Sequence, residues 1–150
     1  MKYWICLLAA LLLSACATSV EVANSEIEYL KAPGTEDRDL PFSSAVRVGD
    51  TLYLSGALGL VPGTRDLAAG GIQGETRQTL ENISRTLQTF GSSMDRVVKC
   101  TVFLADMAEW GAMNEVYKTF FPNPPARSAF GTSGIALNAR VEIECIAVVN

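Results

Sequence analysis

The chain has no histidine among its 150 residues. That absence removes Ser-His-Asp and Cys-His nucleophilic sites, zinc sites that use imidazole, and the side chain that ordinarily titrates near neutral pH. Any catalysis must run on carboxylates, Arg, Lys, Tyr, hydroxyls or backbone groups. Positive charge is also scarce: 12 Lys and Arg face 16 Asp and Glu, a net charge of −4. Nucleic-acid affinity comes largely from neutralising phosphates with Lys and Arg, so this balance argues against a nucleic-acid partner, and no basic run compensates for it. Internal repeats and low-complexity segments are lacking, and beyond the N-terminal region one domain accounts for the rest.

The N-terminus has the layout of an export signal. Met1-Lys2 supplies one positive charge and Ile5 to Leu13 form an apolar run, shorter than the roughly 20 residues a membrane-spanning helix needs. The run ends in Leu13-Ser14-Ala15-Cys16, which resembles a lipobox. Residues 1–15 are then a lipoprotein signal peptide, Cys16 the lipidated first mature residue, and 16–26 a small, polar tether that reaches about 35 Å when extended. An ordinary secretory signal and an uncleaved buried hairpin are the alternatives. The lipobox reading places the protein in the cell envelope, facing the periplasm, and Ala17 after the modified cysteine favours the outer membrane. The membrane is then met through the lipid alone. Two cysteines remain, Cys100 and Cys145, both inside expected strands. An oxidising compartment permits a disulfide, but the preferred reading is two buried free thiols acting as small apolar residues.

The domain, 27–150, opens with an expected strand at Ile27–Lys31 and a turn-rich stretch to Pro41. Two strands, Ser44–Val48 and Thr51–Gly56, flank Gly49-Asp50, a two-residue hairpin signal. Gly63, Gly70, Gly71 and Gly74 mark a long loop. Between Glu75 and Phe90 the residues Thr76, Leu80, Ile83, Leu87 and Phe90 recur at spacings of four and three, one apolar stripe of a helix that Gly91 closes. Val97–Ala105 returns to a period of two, with Val98, Cys100, Val102 and Leu104 on one side. Asp106 and Glu109 form an acidic capping pair for a second helix that presents Met113, Val116, Tyr117 and Phe120 and stops at Pro122. Two edge strands follow, Ala126–Phe130 and Arg140–Val149. The order predicts an α/β (α+β) fold: one mixed sheet with two helices on one face, and the other face left for a partner subunit to cover.

Charge stands out in two of these strands. On the last one Val141, Ile143, Cys145 and Ala147 point one way, so Glu142 and Glu144 point the other. Carboxylates in so apolar a strand are costly unless partnered. The preceding strand carries Arg127 with Ala129 and Gly131 on its side, leaving room for a ligand whose carboxylate the guanidinium could grip with two hydrogen bonds. A plain Arg-Glu salt bridge across the sheet, or a solvated outer face, accounts for the same residues.

Three segments carry a resemblance: Pro41-Phe42-Ser43-Ser44-Ala45-Val46 with Leu52-Tyr53-Leu54-Ser55-Gly56, Pro125-Ala126-Arg127-Ser128, and Val141-Glu142-Ile143-Glu144-Cys145-Ile146-Ala147-Val148. Together with Lys99–Asp106 and Asn114–Phe121, they are similar to the RidA (YjgF, L-PSP) family over about residues 27–149. The resemblance implies a chorismate-mutase-like homotrimer whose sheets close into a central barrel, with active sites between subunits. It implies hydrolysis of reactive 2-imino and 2-enamino acids, such as 2-iminopropanoate and 2-iminobutanoate, to 2-oxo acids and ammonium, without metal or cofactor. Arg127 matches the arginine that grips the substrate carboxylate, and Glu142 the glutamate that holds the attacking water. Ser55 and Gly56 match the pocket wall and Asn114 a polar position near it, although Ser55 could equally bond its own loop and Asn114 belong to a helix surface. Phe42, Ala57 and Ala129 stand where archetypal members have tyrosine, glutamine and cysteine, which makes the pocket less polar. A trimer that binds a small carboxylate without turning it over is the alternative function. Ribonuclease activity, attached to some members, fits poorly with the charge and the missing histidine.

Overall fold

In the computed structural model, which describes residues 26–35 and 39–149, a seven-stranded sheet carries two helices on one face. The signal peptide, Cys16 and nearly all of the tether lie outside the described residues. The strands are β1 Ile27–Leu30, β2 Ala45–Val48, β3 Thr51–Leu54, β4 Ala57–Leu58, β5 Val97–Leu104, β6 Ala126–Gly131 and β7 Val141–Val148; the helices are α1 Gly71–Thr89 and α2 Trp110–Tyr117. Spatial order is β1-β2-β3-β7-β5-β6, with β4 also paired to β7. Only β5 and β6 run parallel, and the crossover between them contains α2.

The hairpin at Gly49-Asp50 forms as its sequence predicts: Gly49 takes a φ of 56°, and Val48 pairs with Thr51. The following strand breaks at Ser55-Gly56, so that β3 and β4 engage successive stretches of β7. Helix α1 begins a turn earlier than its apolar stripe suggests, because Gly71 and Gly74, read as loop, belong to its first turn and Gly70 caps it, while Gly63 stays in the loop. A Cβ on Gly59 would lie 2.6 Å from the Glu75 carbonyl oxygen, so glycine lets the loop pass the helix closely. At the other end the Ser92 amide donates to Leu87 O at 2.8 Å while Gly91 adopts a φ of 79°, the expected glycine-terminated ending.

Four expectations are corrected. The last strand is central rather than an edge: β7 pairs with β3, β4 and β5, which suits its Ile146 and Val148 on the face away from the helices. Val98 does not join the inward row of β5, because a register shift between Val97 and Lys99 turns it outward, where it is 47% exposed. Asp106 accepts from the Ala108 amide and caps a short 3-10 turn, Met107–Glu109, while Glu109 bonds Arg140 instead of closing a capping box. Finally, Cys100 and Cys145 are joined in a disulfide. They sit directly opposite each other on β5 and β7, Cα to Cα 4.1 Å, and both point toward the helices. Strand alternation reveals that each is buried but not that the register sets them face to face.

The inner face is the core: Leu52, Leu80, Ile83, Leu87, Val102, Leu104, Met113 and Ile143 are all essentially inaccessible to solvent. Glu75 is the charged exception. Its Oε2 accepts from the Arg140 backbone amide at 2.8 Å, and Arg140 in turn bonds Glu109, tying the start of α1 to the entry of β7 and the approach to α2.

Candidate active site

Residues paired directly across a sheet project from the same face, so the register places every candidate side chain. Arg127 pairs with Cys100, which pairs with Cys145, and the guanidinium therefore leaves β6 on the helix side. Glu142 pairs with Phe103, which pairs with Phe130, and projects from the opposite face. β5 lies between their strands. The two groups thus occupy opposite sides of one chain, and the alternative of an Arg-Glu salt bridge across the sheet is not what joins them. Among the described residues neither one bonds a group of opposite charge.

Each group anchors its own half-site. Arg127 lies over the ring of Tyr117, 4.5 Å from its centroid, and opens onto a cavity of about 620 Å³ that Asn114, Lys118, Phe121 and the proline-rich approach to β6 also line. The helix α2 brings Asn114 and Tyr117 to it three residues apart, on one face. Burial pushes the Tyr117 phenol up to about 12, against a smaller opposing pull from Arg127, so the ring stays neutral beneath the cation. Its hydroxyl is buried and has no hydrogen-bond partner among the described residues. Sequence reasoning took Tyr117 for core alone; its place ten residues before Arg127, on the helix leading into that strand, was the available signal.

The second half-site gathers Phe42, Ser55, Gly56 and Glu142. Any Cβ on Gly56 would run into the Glu142 carboxylate, so glycine is what lets that carboxylate lie against the backbone. Leu58, two residues on, pairs with Glu142 in register. Burial raises the Glu142 carboxyl above its ordinary pKa, and the like charge of Glu144 on the same face adds to the effect. Ser55 donates its hydroxyl to the Ser43 carbonyl at 2.7 Å, so its proton holds the loop and only its oxygen lone pairs remain for a ligand. Phe42 is 55% exposed and borders the hollow beside Gly56. The structure therefore brings Arg127 together with Asn114, and Glu142 together with Gly56, beside which Phe42 and Ser55 line a hollow, but does not bring the two sets together in one chain.

Beyond the half-sites, the outer face of the sheet exposes Tyr29, Tyr53 and Phe130, with Tyr53 paired to Ile146. An apolar face of this kind marks a surface built to be covered.

The comparisons agree with this architecture. The endoribonuclease L-PSP family matches residues 35–149. The 2-iminobutanoate/2-iminopropanoate deaminase of Mus musculus is 45% identical over 128 residues, covering 85% of this chain and 93% of its own. Among solved structures, RidA from an Antarctic Psychrobacter superposes with a TM-score of 0.71 at 34% identity, over 81% of this chain and 94% of that one. TdcF of E. coli, solved with bound serine, gives 0.70 at 30% identity, over 81% and 93%. Sheet order, helix placement and sequence thus lead to one assignment: the chain belongs to the endoribonuclease L-PSP family, in which RidA is found.

Proposed function

We propose that the chain hydrolyses reactive 2-imino acids and their enamine tautomers to 2-oxo acids and ammonium, at sites completed between the subunits of a homotrimer. The observation that carries this reading is the pair of half-sites: a guanidinium with no counter-ion among the described residues and a carboxylate of raised pKa, on opposite faces of one sheet. One copy supplies Arg127 and its neighbour supplies Glu142. The relatives named as imine deaminases support the reaction class, and the serine held by the E. coli neighbour is a small molecule of the right kind, a carboxylate beside an amino-bearing carbon.

The chemistry needs little more than this. Arg127 grips the substrate carboxylate with two parallel hydrogen bonds, and the protonated imine is already electrophilic. Glu142 holds a water, takes one of its protons as the oxygen adds to C2, and leaves a carbinolamine. The proton then moves to the amino group, the C–N bond breaks, and the hydroxyl proton passes to the departing ammonia, so that ammonium leaves while the C2 oxygen becomes the ketone. Asn114 and the Ser55 oxygen orient the substrate, and Gly56 makes room for the base.

Subunit mixing tests the arrangement. Arg127→Ala and Glu142→Gln should each lower imine hydrolysis by roughly 100-fold or more, since each removes a charged contact inside a desolvated site. Purified mixed trimers of the two variants should regain activity, because each contains one interface where both residues survive. If mixed trimers stay as inactive as their parents, the divided site is wrong. If Glu142→Gln abolishes turnover but keeps carboxylate affinity, Glu142 is the base and not a binding group.

The disulfide suits an oxidising compartment, which supports the further proposal that the chain is an envelope lipoprotein acylated on Cys16. Incorporation of labelled palmitate, lost in Cys16→Ser, is the expected result.

A further inference from the structure

A cavity of about 700 Å³ lies beside the Glu142 half-site and shares Phe42 and Gly56 with it, while most of its lining has no part in the proposed hydrolysis. It is bounded by Leu40, Phe42, Gly56, Leu58, Leu60 and Leu137. Two of these six residues fix its position relative to the chemistry: Gly56 backs directly onto the Glu142 carboxylate, and Leu58 is paired with Glu142 across the sheet. The cavity therefore begins where the reacting carbon would sit.

Its lining is apolar, and the two ionisable residues on its wall, Asp39 and Arg65, have opposite signs. Their fields offset one another, so among the described residues the wall carries no net charge with which to recruit an acidic or a basic side chain. Leu137 is the unusual member. It adopts φ 59° and ψ 20°, and Asn138 follows at φ 57°. The left-handed region costs an ordinary L-residue about 1–2 kcal/mol. Asparagine offsets part of this through its short polar side chain, but leucine has no such compensation. Burial does not explain it either, because Leu137 is 44% exposed. A leucine held in a costly backbone state, at the rim of a cavity next to a catalytic carboxylate, is the pattern expected of a ligand contact.

We infer that this cavity receives the substrate's side chain, that it selects uncharged 2-imino acids with side chains larger than ethyl, such as isobutyl, thioether or benzyl, and that Leu137 is a specificity-determining residue. The inference rests on the deaminase reading and adds the substrate class. With the carboxylate on Arg127 of one copy and C2 above Glu142 of the next, the side chain is the part left to fill the apolar hollow. Each methylene placed in such a pocket is worth roughly tenfold or more in kcat/KM.

The test uses the full mature chain with imino acids generated in place by an amino-acid oxidase, with catalase present. The parent protein should hydrolyse the imines derived from leucine, methionine or phenylalanine with kcat/KM at least tenfold above those from alanine and 2-aminobutyrate. The glutamate-derived imine should be the poorest. Leu137→Asn keeps a residue at ease in the left-handed region, so it should fold, and it should lower the leucine-to-alanine ratio of kcat/KM at least tenfold. Leu137→Gly should lower it as well. A parent that prefers the methyl and ethyl substrates, or variants that leave the ratio unchanged, overturn the inference while the deaminase reading stands. Failure to hydrolyse any imine overturns both.

Discussion

The two faces of the sheet are made from the same strands, yet one is finished within the chain and the other is not. On the inner face helices bury the apolar side chains of the central strands, a disulfide bridges β5 and β7, and the buried carboxylate of Glu75 has its partners. Across the outer face Tyr29, Tyr53, Val98 and Phe130 stay exposed and Glu142 bonds nothing of opposite charge among the described residues. The contrast separates residues that make the fold from residues that the proposed assembly would cover, and four tests can break or sharpen it.

The largest effect is expected from Tyr53→Asp combined with Phe130→Asp. Charges placed on the exposed face should dissociate the assembly and reduce imine hydrolysis to background. Circular dichroism should stay native, since exposed positions of this kind contribute little to the fold. A trimer that persists with full activity would show that another surface joins the copies. Next in size is the inner-face staple. Cys100→Ala with Cys145→Ala opens a link spanning 45 residues and should cost about 4 kcal/mol of unfolding free energy, read from denaturant midpoints with and without reductant.

A smaller change is expected where the helix side meets the Arg127 half-site. Tyr117→Leu removes the ring beneath the guanidinium, a contact worth about 1–2 kcal/mol when desolvated, and should raise KM roughly tenfold with kcat little changed. Tyr117→Phe keeps the ring and should behave like the parent. The smallest effect concerns Glu144. In the proposed mechanism Glu142 must be ionised to act as base, and burial and Glu144 raise its pKa, so activity should fall as pH drops through that raised value. Glu144→Gln removes the like charge and should move the acid limb of kcat/KM to lower pH by a fraction of a unit. A limb that stays put or moves upward would deny the coupling.

What could be read from the sequence follows from how local each signal is. Strand alternation gave Glu142 its face, the four-three stripe found α1, and Gly49-Asp50 marked the hairpin, because neighbours along the chain determine all three. The register of distant strands is not local. It alone decides that Cys100 faces Cys145, that β7 is central, and that β5 separates Arg127 from Glu142. Matched motifs identified the residues of the candidate site, whereas their assignment to opposite faces required the sheet order. Leu137 escaped notice because nothing in Ala136-Leu137-Asn138 announces a left-handed backbone at leucine; only the dihedral angle does.

In the proposed arrangement the opposed faces of Arg127 and Glu142 also tie turnover to mass action. In a centre divided between copies, an isolated chain holds two inert halves, and the rate per chain becomes a function of how many neighbours it has. Specific activity should then fall on dilution, steeply once the concentration drops below that needed for assembly, with no unfolding at all.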